Sequence, residues 1–162
     1  PESCVKCNDV DHVYHWAVEN GLCTEEDREL LVSCLRGTKA FLSSWCAVSP
    51  CHVVRRALRW GAMKSVLRVG GYLDAQLCAV AGELKPRVFT EVAVQVWDDV
   101  MRETCACTRA WNRRRARKIV GMVFDYFYAG GEGLSTRALE SSTSFQKLKE
   151  YLRLGGGGGG TK

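Results

Sequence analysis

Several things are scarce in this chain, and each scarcity narrows what it can do. No apolar run approaches the roughly 18 residues that a membrane-spanning helix requires, and no signal-peptide pattern opens the sequence. No segment repeats, so a solenoid is not expected. Gly-rich phosphate loops, paired carboxylates and a Ser-His-Asp signature are all missing, which argues against the common enzyme classes. Histidine occurs only three times in 162 residues, and two of the three lie together near the N-terminus.

What is present points to a folded domain. Hydrophobic residues make up 46% of the chain, too many for a disordered polyelectrolyte. The length allows one domain with a sizeable core. Nine cysteines are many, but the count is odd and the chain is long, so a small secreted disulfide scaffold is not expected. Free thiols in a reducing, intracellular compartment are the expectation. The sequence begins at Pro1 without a methionine, so a fragment of a longer protein is expected.

Apolar residues recur mostly at the helical period. Asn8 or Asp9 suits the cap of a first helix that stops at Gly21. Thr24 opens an acidic first turn, with Asp27 at the capping-box offset, and Leu30, Leu31, Cys34 and Leu35 follow as an apolar face ending at Gly37. A short helix is expected over 38–48, and another after Ser49 and Pro50, with Val53, Val54, Ala57 and Leu58 facing inward. Breaks are expected at Gly70–Gly71 and at Lys85–Pro86. Beyond Thr90, Phe89, Ala93, Val96 and Val100 form a helical stripe, although Val92, Val94 and Val96 also alternate like a strand. The loop at 129–133 precedes a last amphipathic helix capped by Ser144 or a neighbour. The predicted fold is all-α, a single helical domain of about seven to eight helices over residues 1–154. A flexible glycine tail occupies 155–162.

The opening segment, residues 1–23, is the candidate zinc site. Cys4 and Cys7 are spaced to share one ion, and His12 and His15 lie one helical turn apart. The pattern Cys4-x2-Cys7-x4-His12 resembles the first three ligands of a retroviral-type zinc knuckle. The knuckle's fourth position is Ala17 here. His15 or Cys23 could serve instead, as could a distant group among Cys46, Cys51, His52, Cys105 and Cys107. With no metal, residues 1–8 are expected to fray, since Val5 is almost their only apolar residue. A closed site of four protein ligands makes the zinc structural. A redox role for Cys4-Val5-Lys6-Cys7 would need a βαβ setting, which is absent.

The run Arg113, Arg114, Arg115, Arg117 and Lys118, preceded by Arg109, holds one apolar residue, Ala116. Such a segment suits nuclear import or phosphate contact at the surface. Neighbouring Trp111 is expected in the core, with base stacking as the alternative. A second basic set comprises Arg55, Arg56, Arg59, Lys64 and Arg68. Leu30 and Cys34 partly resemble the elongin-binding box of ubiquitin-ligase adaptors, with departures at Glu29 and Thr38. Periodicity assigns both residues to the core instead. The mix of cysteine, tryptophan and arginine resembles regulatory proteins of large DNA viruses. Together these features imply a non-enzymatic, zinc-stabilised regulatory module that binds a protein partner in the nucleus. The alternative is a nucleic-acid-binding domain using residues 109–118.

Overall fold

A computed structural model describes residues 2–60 and 63–153, with side chains described outside 61–67. The side chain of Lys64 and the tail 155–162 therefore lie outside the described residues. The described chain is helical, with no strand. Seven α-helices follow in order: α1 (Glu2–Glu19), α2 (Glu25–Trp60), α3 (Met63–Ala81), α4 (Pro86–Cys107), α5 (Arg113–Tyr128), α6 (Thr136–Glu140) and α7 (Thr143–Leu152). Single 3-10 turns at Ala110–Asn112 and Ala129–Gly131 flank α5.

α4 is the central helix and packs on α2, α5 and α7. Pro86 starts it, where a missing N–H costs nothing. Val88, Val92, Val96 and Val100 then recur every fourth residue, all fully buried. The helical reading of this segment holds, and the strand-like alternation does not. Beside the valines, Trp97 is fully buried among Phe124, Phe127 and Phe145, whose ring centroids lie 6.2, 5.8 and 5.1 Å away in edge-on arrangements. Its indole N–H donates to the Leu139 carbonyl at 3.0 Å. That bond ties α6 to the core, although α6 has only five residues.

α2 departs furthest from the sequence expectation. Its start is as expected: the Thr24 hydroxyl accepts from the Asp27 N–H at 3.1 Å, and the Asp27 carboxylate accepts from the Thr24 N–H at 3.1 Å. The helix then runs 36 residues without stopping at Gly37 or Pro50. Gly37 costs about 1 kcal/mol in a helix interior, too little to end one that is packed on both sides of it. Pro50 is buried on the core face and deprives the Cys46 carbonyl of its usual donor. Core contacts from Leu35, Leu42, Cys46, Ala47, Val54, Ala57 and Leu58 carry the helix through. α3 likewise passes through Gly70–Gly71, whose missing side chains would meet nothing within 4 Å. The break at Lys85–Pro86 is real.

One glycine is demanded by packing. A Cβ on Gly133 would lie 2.1 Å from the Phe127 carbonyl oxygen. The chain folds back tightly there, with Leu134 N–H donating to the same carbonyl at 2.7 Å.

Candidate functional site

The N-terminal segment is helix, not a ligand-bearing turn, and this rearranges the expected zinc site. Cys4 and Cys7 are fully buried in the core. His12 is five residues beyond Cys7, a rotation of about 140° on a helix, and it is exposed. His15 returns to the side of Cys4 but sits about 12 Å further along the axis than Cys7. One ion cannot reach across that span. Among the described residues no three His, Cys, Asp or Glu side chains converge to hold a metal, which covers the alternative ligands as well. Zinc stabilisation therefore has no support in the geometry.

Other contacts do what the zinc was expected to do. Asn8 clips α1 to the α3–α4 turn: its amide donates to the Glu83 carbonyl at 2.6 Å and its oxygen accepts from Lys85 N–H at 3.0 Å. Asp11 is buried and pairs with Arg87, with the Lys85 ammonium 3.7 Å away. The Cys7 sulfur accepts from the Thr38 hydroxyl at 3.5 Å. Burial pushes the Cys7 thiol up, and it pushes Cys46 up to about 11, with the nearby Cys4 adding to the rise. These sulfurs act as small hydrophobic groups. All nine cysteines are free thiols.

The other Cys/His neighbourhood lies between α2 and α4, in a cleft of about 560 Å³ that holds Cys51, His52, Arg55, Asp99 and Glu103. Adjacent residues on a helix do not face each other, so Cys51 and His52 are not a nucleophile and its base. The Cys51 thiol donates to the Asp99 carbonyl at 3.7 Å and is pushed up to about 12, first by burial and then by Glu103 and Asp99. Only the thiolate attacks, so this sulfur is inert near neutral pH. Glu103 instead forms a two-pronged pair with Arg55, at 2.7 and 2.9 Å, which holds its carboxyl below the usual range.

The basic run divides in two. Arg113 donates to the Tyr151 carbonyl at 3.0 Å and stacks over the Tyr151 ring, while Arg117 donates to the Leu152 carbonyl at 2.8 Å. Both close the C-terminal end of α7, where carbonyls have no helical donor. Arg114, Arg115 and Lys118 form no ion pair among the described residues. The run is the first turns of α5 and not a mobile turn. Trp111 is 65% exposed, which corrects its assignment to the core. Its turn is fixed by buried Asn112, whose amide donates to the Leu58 and Cys107 carbonyls at 3.2 and 3.0 Å. Asn112 thereby ties the turn to the end of α2, and the Arg115 guanidinium lies 5.9 Å from the centre of the Trp111 ring.

The feature that sequence segmentation hid is on α2. Leu30 (64% exposed), Phe41 (60%), Trp45 (46%), Val48 (63%) and Trp60 (81%) face solvent. Exposed Cys34 and His52 lie in the same line. At 100° per residue, positions 30, 34, 41, 45, 48 and 52 fall within a stripe about 60° wide, directly opposite the buried face. Leu30 and Cys34 are thus not core. The signal was legible as an i, i+4, i+7, i+11 series from Phe41 to His52, but only for a helix that is not cut at Pro50.

The chain matches no family model, no curated protein and no solved structure. Among the described residues, no helix is long and apolar enough to cross a membrane.

Proposed function

We propose that this chain is a non-enzymatic helical module of the nucleus that docks a protein partner on the solvent face of α2. The observation that carries this reading is the bare apolar stripe Leu30–Phe41–Trp45–Val48. Large apolar side chains scattered singly on a surface are ordinary, but a contiguous row of them marks an interaction site. Tryptophan is the residue type most enriched where binding energy concentrates. Zinc is not part of the reading, because its expected ligands lie on separate faces and levels of α1. The test is affinity capture from nuclear extract with the wild-type chain and with Trp45→Glu. A protein recovered by the former and lost by the latter, with unchanged circular dichroism, supports the reading. Recovery that ignores Trp45→Glu refutes it. Nuclear accumulation is carried by Arg114, Arg115 and Lys118, the charges that no internal carbonyl or carboxylate engages. Replacing all three with alanine should disperse a fluorescent fusion through the cell.

A second reading has its own observation. Arg115 lies over the exposed Trp111 ring, Arg56 and Arg59 line one pocket with exposed Trp60, and exposed tryptophan beside arginine suits single-stranded nucleic acid. It requires binding that weakens steeply with salt and that is reduced by Arg114→Ala and Arg115→Ala.

A further inference from the structure

The stripe on α2 is self-complementary, and we infer that its occupant is a second copy of this chain, paired with α2 antiparallel to α2 about a two-fold axis at the level of Ser43. The inference rests on the docking function proposed above and names the partner.

Two properties of the helix support it. The first is register. Counted outward from Ser43, Phe41 is matched by Trp45, Thr38 by Val48, Cys34 by His52, Leu30 by Arg56 and Asp27 by Arg59. All ten residues lie on the solvent side of α2, with only Thr38 partly covered. A two-fold axis places each residue beside its match on the other copy. Phe41 of one copy then lies beside Trp45 of the other, twice, at the centre of the contact. Outward from there Val48 lies beside Thr38, and Leu30 beside Arg56, whose aliphatic stem can cover it.

The second property is charge. The first turn of α2 carries Glu25, Glu26 and Asp27, and its last turns carry Arg55, Arg56 and Arg59. Glu25 pairs with Arg28 and Arg55 with Glu103. Glu26, Asp27, Arg56 and Arg59 form no close ion pair among the described residues, although Arg59 lies near enough to Glu103 of α4 to help lower that carboxyl. Antiparallel pairing sets the acidic end of each helix against the basic end of the other, at both ends. Parallel pairing would set acid against acid and base against base. A 36-residue helix is about 54 Å long, so a shallow crossing keeps the centre and both charged ends in contact together. An unrelated partner needs neither the symmetric register nor the reversal of sign.

The test is sedimentation equilibrium of the whole chain at 5–100 µM in about 0.1 M salt. The expected mass is twice 18.0 kDa. Trp45→Glu should give a folded monomer, judged by circular dichroism. Arg59→Glu should weaken the dimer about tenfold, by placing acid against Asp27 and its neighbour Glu26, and adding Glu26→Lys should recover part of that loss. His52→Cys should form an intermolecular disulfide on mild oxidation, and adding Cys34→Ser should abolish it. A chain that stays monomeric at 100 µM overturns the inference. So does a dimer indifferent to Trp45→Glu or to the Arg59→Glu and Glu26→Lys exchange. A monomer that still loses a nuclear protein on Trp45→Glu overturns self-pairing alone. A monomer that loses nothing overturns the docking function as well.

Discussion

α2 and α4 lie side by side, and both carry large apolar residues at helical spacing, yet their fates differ. On α4 Val88, Val92, Val96, Val100 and Trp97 all point into the protein, and the outer face is left to Arg102 and other polar residues. On α2 the apolar residues fall on two opposite faces, one covered by α1, α3 and α4 and the other by none of the described residues. One apolar stripe explains why a helix folds onto its neighbours. A second stripe on the same helix adds nothing to that packing, and the docking surface proposed above is built from it. The contrast can be pressed experimentally.

The largest effect belongs to α4. Trp97→Ala should lower unfolding free energy by about 3–5 kcal/mol, through the cavity and the orphaned Leu139 carbonyl, as read by urea denaturation. In the same assay Trp45→Ala on α2, studied below the concentration of association, should fall within about 0.5 kcal/mol of wild type. A comparable loss at the two tryptophans would erase the distinction between the faces. Next comes Asn112→Ala, which should cost about 2–3 kcal/mol by stranding the Leu58 and Cys107 carbonyls and the Arg109 N–H that donates to its side-chain oxygen.

Two thiols, buried Cys46 and half-buried Cys51, test by pH the side of α2 that packs on its neighbours. Cys46 and Cys51 hold their protons to about 11 and about 12, while an unfolded thiol loses its proton near the ordinary value of 9.0. Folding therefore favours the protonated form. Its contribution is complete below pH 9 and is lost as pH rises through the folded values. Melting temperature should fall above pH 9, and less so in Cys46→Ala and Cys51→Ala; an unchanged alkaline slope in both variants would mean these thiols are not buried as described. The smallest effect concerns α1. Cys4→Ser should cost about 1–2 kcal/mol by burying a hydroxyl, while Cys4→Ala costs less and a chelator leaves melting unchanged. Equal losses for Ser and Ala, matched by the chelator, would instead return the N-terminus to a metal.

The elements legible in the sequence were those where a start signal and an unbroken apolar period agree. Thr24 with Asp27 gave the start of α2, and Gly21, at φ +63°, gave the end of α1; the apolar period gave the body of α4, although its start was expected near Thr90 and lies at Pro86. Punctuation misled where packing outweighed it. Ser49–Pro50 has the form of a helix start, and Gly37 and Gly70–Gly71 that of a stop, but each costs only what neighbouring core contacts readily offset. Cutting α2 at those points scattered its outer stripe over three short helices and hid the site. At the N-terminus, spacing alone could not tell a metal-binding turn from a helix. Asn8 and Asp11, which clip α1 in place, act across more than 70 residues of sequence and leave no local trace.

The clasp between Arg113, Arg117 and the end of α7 makes the basic run a competitor for its own charges. A polyanion or import receptor that engages the whole run must displace the Tyr151 and Leu152 carbonyls, or accept three charges in place of five. If it displaces them, ligation and fraying of α7 become one linked equilibrium, and anything that stiffens α7 weakens the ligand by the same factor. Hydrogen exchange at Tyr151, Leu152 and Arg153 would then serve as a gauge of occupancy at a surface some residues never touch.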